Sequence, residues 1–222
     1  MVQNSGVSPE EIKNELSSLI KNRHRALSYN EARKHLFGKI HLETDSNGSH
    51  YITDVYCLIK YDRSVGVGPG KIPNNNVLNT EHTWPQSKFS SRHPKNTQKG
   101  DLHHLYPTNN RANGTRGNSP FGNVNGSELD NCEASAVGRD SSIGQAFEPP
   151  QVTKGNIARA LFYFSVRYDL SLSRAEREVL VEWHDQDPVD SFESQRNNQV
   201  YEIQGNRNPF IDYPELAVKA FL

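Results

Sequence analysis

Between Glu81 and Gly122 the chain reads EHTWPQSKF, then a basic interval, then GDLHHLYPTNNRANGTRGNSPFG. A carboxylate and an imidazole stand side by side at Glu81 and His82. Two more imidazoles follow at His103 and His104, then asparagines and arginines at helical intervals. A metal-assisted phosphodiester hydrolase needs these groups: a base for water, oxygen ligands for a hard cation, and cations for phosphate. In such a site Glu81 gives a carboxylate oxygen to an ion such as Mg²⁺. His82, with an ordinary pKa near 6.5, takes a proton from the attacking water. Asn113 offers the ion a neutral carbonyl oxygen, which keeps the local charge low enough for a phosphate to approach. Each half alone has an ordinary explanation, a Glu–His hydrogen bond or Asn/Gly turn chemistry. Their succession within about forty residues points to a site. Zinc is disfavoured at His103 and His104, since no Cys or His stands at a zinc-finger offset. One of the two orients a neighbour or contacts phosphate, and the other packs.

The elements must bring these groups together. Neighbours in a regular strand point to opposite faces, so Glu81 and His82 share a site only where the strand ends or bulges. Trp84-Pro85 supports an ending there, because Pro85 cannot donate to a ladder. After Pro107 a short helix is expected, with Thr108 as N-cap and Asn109, Asn113 and Arg116 on one face. Gly114 and Gly117 weaken it by roughly 1 kcal/mol each, and Gly117 reads as its C-terminal stop.

Upstream, Ser8-Pro9-Glu10-Glu11 is a helix start, with Ile12, Leu16, Leu19 and Ile20 on one stripe. A second helix near Tyr29 to Arg33 turns Ala32, Leu36 and Phe37 inward. Tyr51 to Ile59 reads as a strand, 64–79 as loop, and 122–145 as loops with one short strand. Gly155 to Tyr168 is apolar on more than one side and reads as a central helix. Further helices are expected over 174–185 and 189–203.

The chain has 222 residues, of which 34% are hydrophobic, and a mean hydropathy of −0.79. That length supports a real core, and the composition implies much loop. A single α+β domain is expected: mostly helical, with a small distorted sheet, its site-bearing core over about 51–122 and a helical remainder over about 150–222. The formal charge is −1, yet between Glu81 and Gly122 six basic residues face only Glu81 and Asp101, a local +4. The six are Lys88, Arg92, Lys95, Lys99, Arg111 and Arg116. Such a strip on an acidic body focuses a polyanion onto one place. Cys57 and Cys132 either pair or remain two buried thiols. The start, MVQNSGVSPEE, has no apolar stretch, Met1 reads as an initiator, and no segment suits a membrane. A soluble monomer is expected.

With Glu81-His82, Asp101-Leu102-His103-His104-Leu105, Pro107 and Asn113-Gly114-Thr115-Arg116-Gly117-Asn118 in order, the chain resembles the bacterial endonuclease I family. KGNIARALFYFSVRY, the C-terminal run through QGNRNPF and the earlier EARKHLF extend the likeness over most of residues 25 to 217. The resemblance implies a ββα-metal fold, in which two strands and a helix frame one divalent ion, and a secreted or periplasmic location. It implies His82 as general base, with Glu81 and Asn113 as ligands of Mg²⁺, or of Mn²⁺ or Ca²⁺ in its place. Cleavage of DNA, and by extension RNA, would leave 5′-phosphates with little sequence preference. The family's phosphate-binding arginine does not align clearly here, leaving Arg92, Lys99 and Arg116 as rivals. Lys88, Lys95, Lys99 and Arg111 would contact the nucleic-acid backbone, with His103, His104 and Asn109 in support. The alternative is a catalytically silent nucleic-acid-binding relative.

Overall fold

The computed structural model describes residues 6–222. The readings of Met1 and of the first residues fall on 1–5, outside the described part.

Helix α1 (Pro9–Lys21) opens with the expected capping box, the Ser8 hydroxyl accepting from the Glu11 N–H while Glu11 Oε2 accepts from the Ser8 N–H at 2.7 Å. Leu16 and Ile20 are buried, but Leu19 faces outward at 69% exposure, so the contact stripe is narrower than expected. Helix α2 (Tyr29–His35) carries a second capping box from Ser28 and Glu31 and runs on as a π-turn, Leu36–Ile40, that buries Ala32, Leu36 and Phe37. Strands β1 (Glu43–Thr44), β2 (His50–Thr53) and β3 (Lys60–Tyr61) form a small antiparallel sheet. The strand expected over Tyr51 to Ile59 therefore stops at Thr53. The buried Asp54 carboxylate accepts from the N–H groups of Tyr56, Cys57 and Ile59 and reverses the chain.

The site-bearing frame comes next. Strand β4 (Leu78–His82) pairs antiparallel with β5 (Leu105–Asn109), in register from Leu78 opposite Asn109 to His82 opposite Leu105. Helix α3 (Lys95–Lys99) lies in the connection between them, and α4 (Asn110–Arg116) follows β5 directly. Thr108 is thus a strand residue. Asn109 is the N-cap instead, accepting from the Arg111 and Ala112 N–H groups. The Asp54 carboxylate takes the Asn109 N–H at 3.2 Å, so the turn after β2 also anchors the start of α4. Gly117 ends α4 with φ +52°, as its glycine suggested.

The region expected to be loops with one strand is a three-stranded meander: β6 (Asn125–Leu129), β7 (Cys132–Asp140) and β8 (Gly144–Glu148). Much of β6 is exposed and Gly126 pairs with Gly138, so backbone ladder bonds rather than an apolar alternation define it. A side chain at Gly126 would strike the Gly138 backbone.

The remainder is helical: α5 (Lys154–Tyr168), α6 (Arg174–Gln186), α7 (Ser191–Gln204), α8 (Pro209–Asp212) and α9 (Leu216–Phe221). All of α5 except Asn156 is buried, which explains why its apolar residues share no single stripe. The β4–β5 hairpin is gripped by two apolar clusters. Trp84 and Tyr106 belong to the one around α5, and Leu78 and Leu105 to the one around α2 and its π-turn. Among the described residues no helix is long and apolar enough to cross a membrane.

Cys57 and Cys132 form a disulfide across a sequence separation of 75, which settles the open pairing and ties the turn after β2 to the meander. Ser135 Oγ donates to the Tyr56 carbonyl beside it. Closing so long a loop restricts the unfolded chain, which typically contributes about 2–4 kcal/mol. The Cys57→Ala/Cys132→Ala double variant is therefore expected to unfold at lower urea concentration by that amount. An unchanged midpoint would show that the cross-link adds nothing to stability.

Candidate active site

Strand β4 ends at His82, and the chain turns through Thr83, whose N–H donates to the His104 carbonyl. At that end a cavity of about 240 Å³ is lined by Glu81, His82, Asn113 and Arg116, with Tyr29 and Gln86 among its other walls. The structure brings positions 81, 82 and 113 to the lining of this one cavity.

Glu81 is 1% exposed. Its Oε1 lies 3.0 Å from Arg116 Nη1. The guanidinium is also engaged elsewhere: Nη1 donates to the carbonyls of His82 and Gly117, and Nη2 to that of Thr83. Burial pushes the Glu81 carboxyl up, and the Arg116 charge opposes that shift. A buried carboxylate at the wall of a cavity can give an oxygen to a cation. Asn113 supplies a second oxygen. Its Nδ2 donates to the Thr80 carbonyl at 3.3 Å, which turns Oδ1 away from that bond and leaves it as an acceptor. Among the described residues no three His, Cys, Asp or Glu side chains gather into a metal cluster. One carboxylate and one amide oxygen suit a Mg²⁺-like ion, which keeps several waters rather than a full protein cage.

His82 is held in one tautomer. Its Nε2 lies 3.2 Å from the Lys99 carbonyl. A carbonyl can only accept, so Nε2 carries the proton and Nδ1 is the free base. Nδ1 lies 3.4 Å from Gln86 Nε2. Tyr29, Phe89 and His104 surround the ring. Burial, then the nearby His104, hold its pKa well below the usual imidazole value, so the ring is neutral at physiological pH.

His103 and His104 are fully buried and both pack. His104 Nε2 is bonded to the Gln98 carbonyl at 2.9 Å and His103 Nε2 to that of Asn206 at 3.0 Å. Burial pushes each pKa down to about 4. Of the two, His104 touches the site, edge-on to the His82 ring with centroids 5.2 Å apart. Asp101 before them is also buried. Burial opposes its charge, but the surrounding imidazoles and the Gln204 amide hold its carboxyl below the ordinary range, and Tyr163 and Tyr168 donate to it.

The other expected residues are dispersed. Arg116 joins the cavity as a buried partner of Glu81. Asn109 caps α4 and donates to the Tyr61 hydroxyl rather than facing the cavity. Arg92 lies outside the cavity lining and pairs with Asp169 at 2.8 Å on the surface. Lys99 sends its Nζ over the Tyr29 ring, 4.4 Å from the centroid, at the cavity wall. Lys88 lines an adjoining cavity, Lys95 opens α3, and Arg111 lines a separate groove beside Glu128 and Asp130. Tyr29 and Gln86 were not foreseen. Gln86 had a faint signal in its four-residue offset from His82, and Tyr29 had none.

The profile of the Endonuclease I family matches residues 8–215. The chain is 35% identical over 233 aligned residues to an extracellular ribonuclease of Bacillus subtilis (strain 168), covering 96% of this chain and 74% of that protein. It is 34% identical to an extracellular deoxyribonuclease of Aeromonas hydrophila, over 53% of this chain and 50% of the relative. It is 32% identical to an Endonuclease-1 of Buchnera aphidicola subsp. Baizongia pistaciae (strain Bp), over 61% of this chain and 62% of that one. With a hairpin and helix that converge Glu81, His82 and Asn113, and a family match over nearly its whole length, this chain belongs to the Endonuclease I family.

Proposed function

We propose that the chain is a divalent-metal-dependent endonuclease that hydrolyses phosphodiester bonds of DNA and RNA with little sequence preference. The carrying observation is that His82, with Nδ1 left unprotonated by the bond from Nε2 to the Lys99 carbonyl, lines the same cavity as Glu81 and Asn113. Glu81 and Asn113 would hold a Mg²⁺ ion, which when bound polarises the scissile phosphate and stabilises the departing 3′ oxygen. His82 accepts a proton from water at Nδ1 as that water attacks phosphorus. The P–O3′ bond breaks, and the leaving oxygen takes a proton from solvent. The products are a 5′-phosphate and a 3′-hydroxyl. The Lys99 carbonyl keeps the His82 ring in register, since Nε2–H remains bonded while Nδ1 takes up the proton. Arg116 balances the Glu81 charge, so a phosphate meets a site of reduced negative charge.

Phosphate contacts position a strand without reading bases, hence the weak sequence preference. Relatives named as a ribonuclease and a deoxyribonuclease support activity on both polymers. Their extracellular names and the Cys57–Cys132 bond, which persists in oxidising surroundings, support export. Plasmid DNA with Mg²⁺ is expected to be nicked and linearised, and excess EDTA to stop the reaction until Mg²⁺ is restored. Equal cleavage in EDTA would refute the metal requirement. Intact plasmid under both conditions would favour a silent binding relative.

A further inference from the structure

A second cavity, of about 210 Å³, adjoins the first, and the two share Pro85 and Arg116 as a common wall. Their linings differ in kind. The first presents Glu81, His82 and Asn113. The second has a buried apolar floor of Trp84, Phe121, Leu161 and Leu180, with exposed Lys88 and Ser171 at its rim. Its aromatic walls are fixed in place. Trp84 lies against Phe164 at an interplanar angle of 22° and donates its indole N–H to the Lys88 carbonyl, while the Arg116 guanidinium sits 4.5 Å from the Phe121 ring centroid. No step of the proposed hydrolysis uses this space.

Resting on the nuclease reading, we propose that this second cavity is a nucleobase subsite: it receives the base of a nucleotide flanking the scissile phosphate, and so favours unpaired strands. A phosphate seated beside Glu81 and His82 leaves the next part of the strand one wall away, across Pro85 and Arg116. An apolar floor rejects a second phosphate but accepts a flat heterocycle, and the hydroxyls of Ser119 and Ser171 at the walls suit its polar edge. The volume lies below the roughly 300–1,000 Å³ of drug-sized ligand sites, on the scale of a single ring system. Lys88 at the rim meets the backbone of the same nucleotide. A base inside a duplex cannot enter without leaving its stack, which costs energy that an unpaired strand does not bear.

The test uses the whole chain with Mg²⁺, a single-stranded oligonucleotide, the same sequence as a duplex, and a strand of abasic residues as a substrate without bases. Ser119→Trp and Leu172→Trp fill the cavity from two different walls, and neither residue lines the catalytic cavity. Each is expected to lower kcat/KM on the single strand about ten-fold, the scale of one lost base–aromatic contact, with the abasic strand hydrolysed at the wild-type rate. A single abasic residue in the oligonucleotide should suppress cutting at one fixed offset from the lesion. Wild-type cutting of the single strand by both variants, or an abasic pattern without such an offset, would overturn the subsite. A wild-type protein inert toward DNA and the abasic strand alike would overturn the nuclease reading itself.

Discussion

Replacing His82 by Ala is expected to lower the rate of DNA hydrolysis by at least roughly 10²–10⁴-fold, the usual contribution of a positioned general base. Affinity for uncleaved DNA should stay at its wild-type value. The two readouts separate because His82 offers the site a neutral ring rather than a phosphate-binding charge. Binding should be compared at one fixed salt concentration, since phosphate contacts weaken steeply with salt. His82→Asn, which retains a polar group in the space, controls for the hole left by the ring. The wild-type pH profile belongs to the same prediction. Hydrolysis requires unprotonated His82, and burial lowers its pKa. The acid limb of the rate profile should therefore fall below the ordinary imidazole value near 6.5, with activity retained as pH drops through that range. Near-normal cleavage by the Ala variant would remove the base assignment, and an acid limb above 6.5 would contradict the burial argument.

Glu193→Ala is expected to be among the most destabilising single changes, by about 3–5 kcal/mol, because it strands a buried charge. Arg159 on α5 and Glu193 on α7 are both fully buried, with Nε 2.9 Å from Oε1 and Nη2 2.6 Å from Oε2. Arg159 also donates to the Asp187 carbonyl and the Asn156 side chain, which fixes its head where water cannot reach it once Glu193 is gone. Burial raises the Glu193 carboxyl and Arg159 lowers it again, so the pair is a compensated cost more than a source of stability. Accordingly Arg159→Met/Glu193→Leu should recover most of the loss. Urea denaturation of the two variants tests both statements. A loss below about 1 kcal/mol for Glu193→Ala would mean that Arg159 finds another partner or water.

Much of the frame was legible because its signals are local. Ser8 with Glu11 and Ser28 with Glu31 close their capping boxes within three residues. Pro85 marks the end of β4, Gly117 supplies the positive φ that stops α4, and α5 shows its central position in its composition. The meander over Asn125 to Glu148 was missed because its ladder rests on backbone bonds and a Gly126–Gly138 pairing, which leave little apolar alternation. The strand assigned to Tyr51 to Ile59 was too long because Asp54, a single residue, gathers the N–H groups that turn it.

By itself, the sequence determined which chemical groups are available and where the chain must bend: a carboxylate beside an imidazole at a strand end, and an asparagine on the helix that follows. Tertiary structure decided what each group can do. The Lys99 carbonyl, 17 residues from His82, selects its tautomer. Arg116 reaches under the strand to Glu81, while Arg92, its equal in composition, is drawn off to Asp169. The physical reason is range. Capping and backbone propensity act over one turn of chain, whereas desolvation and hydrogen-bond satisfaction depend on which distant atoms share a buried space.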